Sequence, residues 1–360
     1  MAIQYVPVAG TPFDLGYGHG KAARQAIRKN LEFYYKLWKY FSSVEREKIL
    51  EQARNFVPHI ERFDHDLVEE MRGVAEGAEM DFEEVVALNC RWELNYAYMP
   101  SNIKGSMTEG CTSYALTPEA TRDGHIYVGQ HWDYKPAVRE QCILLHLKQS
   151  GKPDVRMLTE AGIIGHMGYN SAGIGVFLNF IRSEADTFGL GVPNWIKVRG
   201  LLNSVSLPDC VRILMSFEGP NSANIILAHR DGEAIDAECA PADTFFLHPV
   251  GGILTHTNHF LSPNFRIKDS GKSLLPDTVI RNHRASRLFR EKSGELEPET
   301  IKGVLKDHFG FPDSICRHRD PRLDPREQWE TLTSLIVDLS TGELHYTTGP
   351  PCLHPYEILA

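Results

Sequence analysis

The spacing of hydrophobic residues divides the chain into a helical beginning and a longer part rich in strands. Between residues 20 and 41, apolar side chains recur every three or four positions, which predicts an amphipathic helix. A second helix is predicted over residues 59–75. Ser43 and Asp81 are predicted helix starts, and Glu84 follows Asp81 at the spacing of a capping box. The beginning of the chain is therefore expected to be mostly helical.

Beyond residue 111 the pattern changes to short apolar runs separated by turn signals, which is typical of strands. Strands are predicted at 112–116, 126–132, 142–147, 155–158, 175–180 and 224–229, with a final hairpin over 331–339 and 343–347. Helices are predicted at 195–204, 207–217, 277–290 and 298–308. Regularly spaced strands with grouped helices indicate one α+β domain, in which two sheets lie between helix layers.

Composition and charge narrow the classes of protein that the chain can belong to. Of 360 residues, 42% are hydrophobic and 24% charged, as in an ordinary globular protein. The net charge of −9 argues against general nucleic-acid binding, which needs a basic surface. No apolar run approaches the roughly 20 residues that span a membrane. Neither a secretion signal at the start nor a peroxisomal or reticulum address at the end is recognisable.

The cysteines argue for a reducing compartment. There are seven, widely scattered and without a Cys-x-x-Cys pair. We therefore expect neither a disulfide framework nor a structural zinc site, and we expect a cytoplasmic protein.

Cys111 is the strongest candidate for chemistry. It follows Gly110 and a polar, turn-rich passage over residues 99–106, and it opens a predicted strand. Cleavage of the Gly110–Cys111 bond would leave a thiol and an α-amine on one residue. The amine titrates near ~8 and the thiol near ~8.5, so a base would stand beside the nucleophile at neutral pH. The alternative is a buried structural cysteine.

Four further residues each allow a functional and a structural interpretation. Asp133 can return beside Cys111 on the next strand and accept hydrogen bonds from a freed α-amine, or it can be a turn or cap residue. Asn170 and Asn258 are either turn residues or donors to a tetrahedral oxyanion. Arg317 directly follows a cysteine, where it can lower a thiol pKa or act as a surface cation.

Taken together in chain order, these motifs resemble a known family. The motifs are Gly-Cys-Thr at 110–112, Gly-x-x-x-Asp at 129–133, Gly-x-Asn-x-x-Gly at 168–173, Thr-Asn-His-Phe at 257–260 and Ser-x-x-Arg at 314–317. With the opening segment 10–20, they are similar to the acyl-coenzyme A:6-aminopenicillanic acid acyltransferase (isopenicillin N acyltransferase-like) family. Its members are self-processing N-terminal-nucleophile enzymes, distantly similar to penicillin V acylases and bile salt hydrolases. The resemblance covers roughly residues 8–350.

The resemblance implies a fold and a division of the chain. The fold would be the four-layer αββα sandwich of N-terminal-nucleophile hydrolases, with two mainly antiparallel sheets. Self-cleavage between Gly110 and Cys111 would yield a mostly helical α chain, 1–110, and a catalytic β chain, 111–360. Together the two chains would form one domain.

The resemblance also implies roles for individual side chains. Cys111 would be the nucleophile, and Asp133 would hold its α-amine. Asn258 would be catalytic, and Asn170 and Tyr134 would be candidates for oxyanion or substrate contacts. Arg317 would lie near the thiol.

Two departures from the family pattern concern specificity. The hydrolase relatives commonly carry an arginine three residues before the aspartate, whereas this chain has Gln130. The peroxisomal tail of the fungal penicillin enzyme is missing, which weakens an inference to penicillin synthesis. Both the preferred acyl group and the leaving group therefore stay open.

The implied reaction is a two-step acyl transfer. Cys111 would attack an amide or thioester carbonyl, and water or an amine would resolve the acyl-cysteine. No cofactor is expected, although a coenzyme A thioester is compatible as acyl donor. The partners would be a small acylated amine or acyl donor, with no nucleic acid and no membrane. The cleaved chains would stay associated as a heterodimer, and a higher oligomer is compatible with this.

Two other functions stay open on the sequence alone. A metal-dependent hydrolase could gather His131, Asp133, His256 and His259 around a divalent ion, although no His-Glu-x-x-His motif occurs. A non-catalytic binding protein on the same fold is the other alternative.

Overall fold

A computed structural model describes residues 3–98, 109–216, 219–241 and 243–359, and the chain divides into two compact units whose segments alternate along the sequence. The first unit comprises Met1–Ser101, Glu140–Ala172 and Thr187–Asn221. The second comprises Asn102–Arg139, Gly173–Asp186 and Ser222–Ala360. The turn-rich passage expected at 99–106 lies outside the described residues. The division into chains 1–110 and 111–360 stays a prediction.

Helices dominate the first unit, as the apolar spacing predicts. They are α1 (Pro12–Ser42), α2 (Arg46–Arg54), α3 (Val57–Phe63), α4 (His65–Ala78), α5 (Phe82–Asn89), α6 (Arg91–Tyr98), α7 (Asn194–Leu202) and α8 (Leu207–Ser216). Residue 217, where the helix corresponding to α8 was expected to end, lies outside the described residues.

Local hydrogen bonds explain where several of these helices begin and end. Thr11 and Asp14 form a capping box, so α1 begins earlier than the apolar spacing alone predicts. The capping box of Asp81 and Glu84 is confirmed. Ser43 as a helix start is wrong: it ends α1 in the left-handed conformation, with φ of 55°. The helix expected over 59–75 is two helices, because Asp64 ends α3 and caps α4.

The long α1 approaches α4 closely because glycines line the crossing. A Cβ on Gly20 would lie 2.2 Å from the carbonyl oxygen of Val74, and one on Gly77 would lie 2.2 Å from that of Tyr17. Neither position has room for a side chain, so the backbones of the two helices meet directly.

Four strands complete the first unit. They are β1 (Gln4–Gly10), β4 (Cys142–Gln149), β5 (Val155–Glu160) and β6 (Met167–Asn170), in the order β1-β4-β5-β6. β1 runs parallel to β4, and the other pairs are antiparallel. α1 packs on β1 and β4. β1 and β6 were not predicted; the turn expected at 168–175 begins only after Asn170.

The second unit contains most of the strands, in two groups. One group is β7 (Ile174–Asn179), β8 (Ala223–His229), β9 (Glu233–Ala240) and β10 (Asp243–Leu247), in chain order. The other is β2 (Gly110–Leu116), β3 (Tyr127–Tyr134), β11 (Ile253–His256), β12 (Glu330–Asp338), β13 (Glu343–Tyr346) and β14 (Glu357–Leu359), in the order β11-β2-β3-β12-β13-β14. All pairs within each group are antiparallel. β9, β10, β11 and β14 were not predicted.

The two strand groups of the second unit face each other, and helices cover the outer face of the six-stranded sheet. β2 contacts β7 and β8, and a Cβ on Gly175 would lie 2.7 Å from Val128. The helices of this unit are α9 (Gly271–Leu274), α10 (Asp277–Glu291) and α11 (Pro298–Leu305). Tyr114 of the sheet packs on Phe289 of α10, with ring centroids 5.1 Å apart. The expected α+β class with two mainly antiparallel sheets is confirmed.

No helix in the described ranges is both long enough and apolar enough to cross a membrane.

A fully buried ion pair lies in the core of the first unit. Arg91 of α6 pairs with Glu160 at the end of β5, and neither side chain is exposed. The hydroxyl of Tyr34 donates to Glu160 Oε2 at 2.9 Å, and the Arg91 guanidinium lies 4.9 Å from the centroid of the Trp195 ring. Two charges removed from water are tolerated only while each satisfies the other.

Replacing Arg91 alone should therefore destabilise the protein strongly. We expect Arg91→Met to lower the free energy of unfolding by about 3–5 kcal/mol, because Glu160 is left buried without its cation. Urea denaturation followed by circular dichroism measures the loss. Lys36→Met removes the cation of an exposed pair with Glu32 and should cost far less. Adding Glu160→Gln to Arg91→Met should restore part of the stability; equal losses in both single variants would contradict this account.

Candidate active site

Cys111 is the second residue of β2, and its side chain is buried at 1% exposure. It lies opposite Trp132 of β3, and residues directly opposite share one face of a sheet. Gln130 projects from that same face and donates from Nε2 to the carbonyl oxygen of Leu178 on β7, at 2.8 Å. The thiol therefore lies on the side of β2 that faces the other strand group.

Asp133 lies on the opposite face, beside the peptide unit that precedes Cys111. Gly110 is its register partner, and a Cβ on Gly110 would lie 3.1 Å from Asp133 Oδ2. Asp133 Oδ2 is 3.2 Å from Arg317 Nε, and Oδ1 accepts from the Thr331 hydroxyl at 2.7 Å. The carboxylate is fully buried and held by these two donors next to the Gly110–Cys111 bond.

The side-chain amide of Asn258 spans the same bond. Its Oδ1 accepts from the backbone N–H of Cys111 at 3.0 Å. Its Nδ2 donates to the carbonyl oxygen of Glu109 at 3.2 Å and to that of Phe180 at 2.8 Å. Asn258 follows β11, the strand that pairs with β2, and its backbone N–H donates to the Thr278 hydroxyl at 2.7 Å.

A buried carboxylate fixes the segment that carries Asn258. Glu238 of β9 is 2.9 Å from His256 Nε2 through Oε1, and its Oε2 accepts from the backbone N–H of Ser262 at 3.0 Å. Burial lowers the pKa of His256, but the charges of Asp236 and Glu238 outweigh this effect and raise it. Burial raises the pKa of Asp236 to about 7.

The four residues considered as metal ligands have separate partners. His131 Nδ1 is 2.8 Å from the carbonyl oxygen of Ile315, His256 pairs with Glu238, and His259 Nδ1 is 3.0 Å from the Thr278 hydroxyl. Within the described ranges, the potential ligand atoms of these three histidines and Asp133 do not converge on one point. The alternative of a metal centre at these four residues is therefore wrong.

Arg281 is a site residue that the sequence analysis missed. Its Nη1 donates to the carbonyl oxygen of Cys111 at 2.6 Å and to the Thr112 hydroxyl at 3.1 Å. Its Nη2 donates to Asn258 Oδ1 at 2.8 Å, and its Nε to Asp277 at 2.7 Å. One fully buried guanidinium thus orients both the backbone of Cys111 and the amide that contacts it.

A signal for Arg281 was present in the helix pattern. The buried face of α10 carries Thr278, Arg281, Ala285 and Phe289, at helical spacing. A cation in such a stripe needs a buried partner, and Asp277 stands one turn earlier. Although burial raises the pKa of Asp277, the charges of Arg281 and Arg317 lower it to about 2.

Arg317 lies within this charged cluster. Besides Asp133, its guanidinium contacts Asp277 and Asp313, and only 4% of the side chain is exposed. It also borders a cleft whose lining includes Asp277, Asp313 and Trp329. The hydrogen bonds of its guanidinium go to carboxylates. The expectation that Arg317 lies near the thiol of Cys111 stays a prediction.

The environment of Cys111 favours the neutral thiol. Burial raises its pKa well above the ordinary value, and the charges of Glu109 and Asp133 raise it further. A hydrogen bond from Gln130 and the charge of Arg281 act in the opposite direction and do not compensate. The thiol therefore needs a base before it can act as a nucleophile.

The remaining two candidates lie in different surroundings. Asn170 ends β6 in the first unit, and its Nδ2 donates to the carbonyl oxygens of Leu202 and Ser204, at 2.9 and 2.8 Å. Asn170 therefore stabilises the C-terminal end of α7. Tyr134 ends β3 on the face shared with Cys111, and its ring stacks on Trp132 with centroids 5.7 Å apart. Their substrate roles stay predictions.

Comparison with known proteins identifies relatives of the chain. The family model described as acyl-coenzyme A:6-aminopenicillanic acid acyl-transferase matches residues 120–351, a stretch that begins after Cys111. The acyl-coenzyme A:6-aminopenicillanic-acid-acyltransferase 40 kDa form of Emericella nidulans is 31% identical over 345 residues. That alignment covers 93% of this chain and 89% of the relative.

Solved structures with a similar arrangement include a conjugated bile acid hydrolase from Clostridium perfringens and a penicillin V acylase from Agrobacterium tumefaciens. The hydrolase variant is 15% identical with a TM-score of 0.44, covering 66% of this chain and 89% of its own. The acylase is 12% identical with a TM-score of 0.44, covering 66% of this chain and 83% of its own.

The family match and the curated relative together confirm the expectation of an acyl-transfer enzyme of the amide-acting class. The chain belongs to the acyl-coenzyme A:6-aminopenicillanic acid acyl-transferase family.

Proposed function

We propose that the chain is a self-processing cysteine amidohydrolase or acyltransferase that carries the acyl group on Cys111. The observation that supports this most directly is the position of Asn258. Its amide accepts from the N–H of Cys111 and donates to the carbonyl oxygen of Glu109, on the two sides of the predicted cleavage bond.

Self-cleavage begins with attack of Cys111 Sγ on the carbonyl carbon of Gly110. The C–N bond breaks, the sulfur takes the Gly110 acyl group as a thioester, and the thiol proton passes to the nitrogen, which becomes the α-amine. Water then hydrolyses the thioester and returns a free thiol on Cys111 and a carboxylate on Gly110. Burial keeps the thiol neutral until this step, and the thiol loses its proton as the C–N bond breaks.

The freed amine then acts as the base for acyl transfer. Asn258 Oδ1 is already a hydrogen-bond acceptor at this nitrogen, and Asp133 lies beside Gly110 as a second acceptor. The amine takes the proton from Sγ, and the thiolate attacks the substrate carbonyl. Once the segment before Cys111 has withdrawn, Asn258 Nδ2 is free to donate to the tetrahedral oxyanion.

Water or an amine resolves the acyl-cysteine, giving hydrolysis or transfer. The Emericella relative is named for an acyl-coenzyme A donor and 6-aminopenicillanic acid. For this chain we propose the wider class of acyl-thioesters and acylated small amines, because Gln130 stands where the hydrolase relatives carry arginine. A cytoplasmic location likewise stays a prediction.

The two chains would remain together after cleavage because the first unit combines residues 1–101 with residues 140–172 and 187–221, which lie in different predicted chains. β1 pairs with β4 over seven residue pairs. Asn30 donates to the carbonyl oxygen of Ala161 at 3.1 Å, and the buried pair of Arg91 and Glu160 also joins the two chains. These contacts support a heterodimer of chains 1–110 and 111–360.

The first test is the mass of the purified protein. We expect wild-type protein to separate under denaturing conditions into chains 1–110 and 111–360, because Cys111 attacks its own preceding peptide bond. Cys111→Ala should remain a single chain of 360 residues and turn over no acyl substrate. Intact-mass spectrometry reports the cleavage position directly. Cys239→Ala, at a half-buried cysteine of β9, is the control and should be cleaved normally. An active wild-type protein that stays uncleaved would refute the mechanism.

The second test addresses the oxyanion donor. Asn258→Ala should lower kcat for acyl-amides and acyl-thioesters by about 10²–10³-fold, the usual effect of removing one such donor. Turnover is expressed per mole of cleaved chain, so that slower processing does not mimic slower chemistry. Asn264→Ala, at an exposed asparagine of the same segment, should leave kcat unchanged. If Asn258→Ala retained full kcat in its cleaved form, Asn258 would have no role in catalysis.

The third test addresses Arg281 as a positioning residue. Arg281→Met removes its hydrogen bonds to Cys111 and Asn258 and should slow self-cleavage by about 10- to 100-fold, the equivalent of one charged hydrogen bond. In the cleaved enzyme, kcat should fall more than KM changes. The time course of cleavage by mass spectrometry measures the first effect. Arg287→Met, at an exposed position of α10, should process at the wild-type rate; equal rates in both variants would contradict the assignment.

A further inference from the structure

Four metal-ligating side chains that no part of the proposed mechanism uses converge in the second unit. They are His308, Cys316, His318 and Cys352, and their ligand atoms all lie within 4.8 Å of one another. The two Sγ atoms are 3.6 Å apart, and the two Nε2 atoms are 3.1 Å apart. His318 Nε2 lies 3.6 Å from Cys316 Sγ and 3.3 Å from Cys352 Sγ.

These separations match the corners of a small tetrahedron around one ion. Zinc binds thiolate sulfur at about 2.3 Å and imidazole nitrogen at about 2.0–2.1 Å, almost always tetrahedrally in structural sites. In that geometry the sulfurs lie about 3.8 Å apart, the nitrogens about 3.3 Å apart, and each sulfur about 3.6 Å from each nitrogen. A disulfide would instead require the sulfurs to be about 2.05 Å apart.

The backbone brings the four residues together from three separate segments. His308 follows α11, Cys316 and His318 precede β12, and Cys352 lies between β13 and β14. The N–H of Cys316 donates to the carbonyl oxygen of Asp307 at 3.0 Å, and that of His318 to the carbonyl oxygen of Pro312 at 3.0 Å. Backbone hydrogen bonds therefore hold Cys316 and His318 in position.

We propose that His308, Cys316, His318 and Cys352 bind one Zn²⁺ as a structural site. Binding replaces the two thiol protons: Zn²⁺ and two Cys–SH give a dithiolate complex and release two H⁺. Two thiolates and two imidazoles are the donor set of structural zinc, and four protein ligands leave no open position for substrate. The scattered cysteines lead the sequence analysis to expect no structural zinc site, and our proposal differs because the fold supplies the proximity that the sequence spacing lacks.

The ion would act on the active site through Arg317. This residue stands between the ligands Cys316 and His318, and its guanidinium holds Asp133 and Asp277. Bound zinc would connect the segment that carries Arg317 to His308 after α11 and to Cys352 after β13. The metal site itself does not depend on the proposed acyl chemistry.

Metal analysis of the full chain tests the proposal. Protein purified under reducing conditions without chelators, and then loaded with Zn²⁺ and dialysed, should hold about one zinc per chain. X-ray absorption should give two sulfur ligands at about 2.3 Å and two nitrogen ligands at about 2.0–2.1 Å. Competition with a chromophoric chelator measures the affinity, a readout independent of any enzyme activity.

Two ligand variants and two matched controls separate this site from adventitious binding. His308→Gln and Cys352→Ser should weaken zinc binding by at least about 100-fold, since even an outer-shell partner costs about 10–100-fold. His248→Gln and Cys239→Ser change residues of the same types elsewhere in the second unit and should bind as wild type does. His308 is exposed, so its variant should fold even if Cys352→Ser does not.

Three outcomes would overturn the proposal. One is reduced wild-type protein that binds Zn²⁺ no more tightly than His308→Gln. Another is peptide mapping of the native protein that finds Cys316 and Cys352 joined as a disulfide. The third is an absorption spectrum without sulfur ligands.

Discussion

Buried charges of alternating sign are the constraint on which the candidate site depends. Asp133, Arg317, Asp277 and Arg281 follow one another in contact, and Arg281 ends the series at the carbonyl oxygen of Cys111. Removing Arg317 would leave Asp133 buried without its cation, and removing Asp277 would leave Arg281 buried without its carboxylate. Either loss costs far more than the net value of the pair. The series therefore fixes α10, the segment of Arg317 and the end of β3 relative to the start of β2.

The two faces of β2 differ in what they carry: one carries the thiol of Cys111, and the other contacts the charged residues. The thiol of Cys111 shares its face with Gln130 and Trp132, toward the second strand group, where apolar surroundings favour the neutral form. The charged series lies on the other face with Asp133, so it acts on the backbone at the Gly110–Cys111 bond more than on the thiol. Strand alternation thus places the thiol of Cys111 and the charged side chains at its backbone on opposite faces of the sheet.

Much of the fold can be predicted from the local sequence pattern, and the elements that were missed were missed for physical reasons. The strands at 126–132 and 224–229 and the capping box at Asp81 could be predicted because alternation and capping are local signals. β1 was missed because its partner β4 lies more than a hundred residues away, and β6 was missed because it has only four residues. Within the site, the motif order singled out Cys111, Asp133 and Asn258, which the structure brings together. Arg281 was missed because its partners lie more than a hundred residues away, apart from Asp277 and Asn258.

The same reasoning explains why burial of the thiol is compatible with a nucleophilic role. A cysteine with a raised pKa is a poor nucleophile in an intact chain, and free cysteines in cores are usually inert for this reason. The proposed cleavage before Cys111 would change this locally, since it would create an amine on the same residue and remove the carbonyl group to which Asn258 Nδ2 donates. In this proposal the amide oxygen of Asn258 stays in contact with the nitrogen of Cys111, whereas its Nδ2 would turn from the carbonyl oxygen of Glu109 to the substrate. On the proposed mechanism, a single amide would therefore serve the precursor and the mature enzyme in succession.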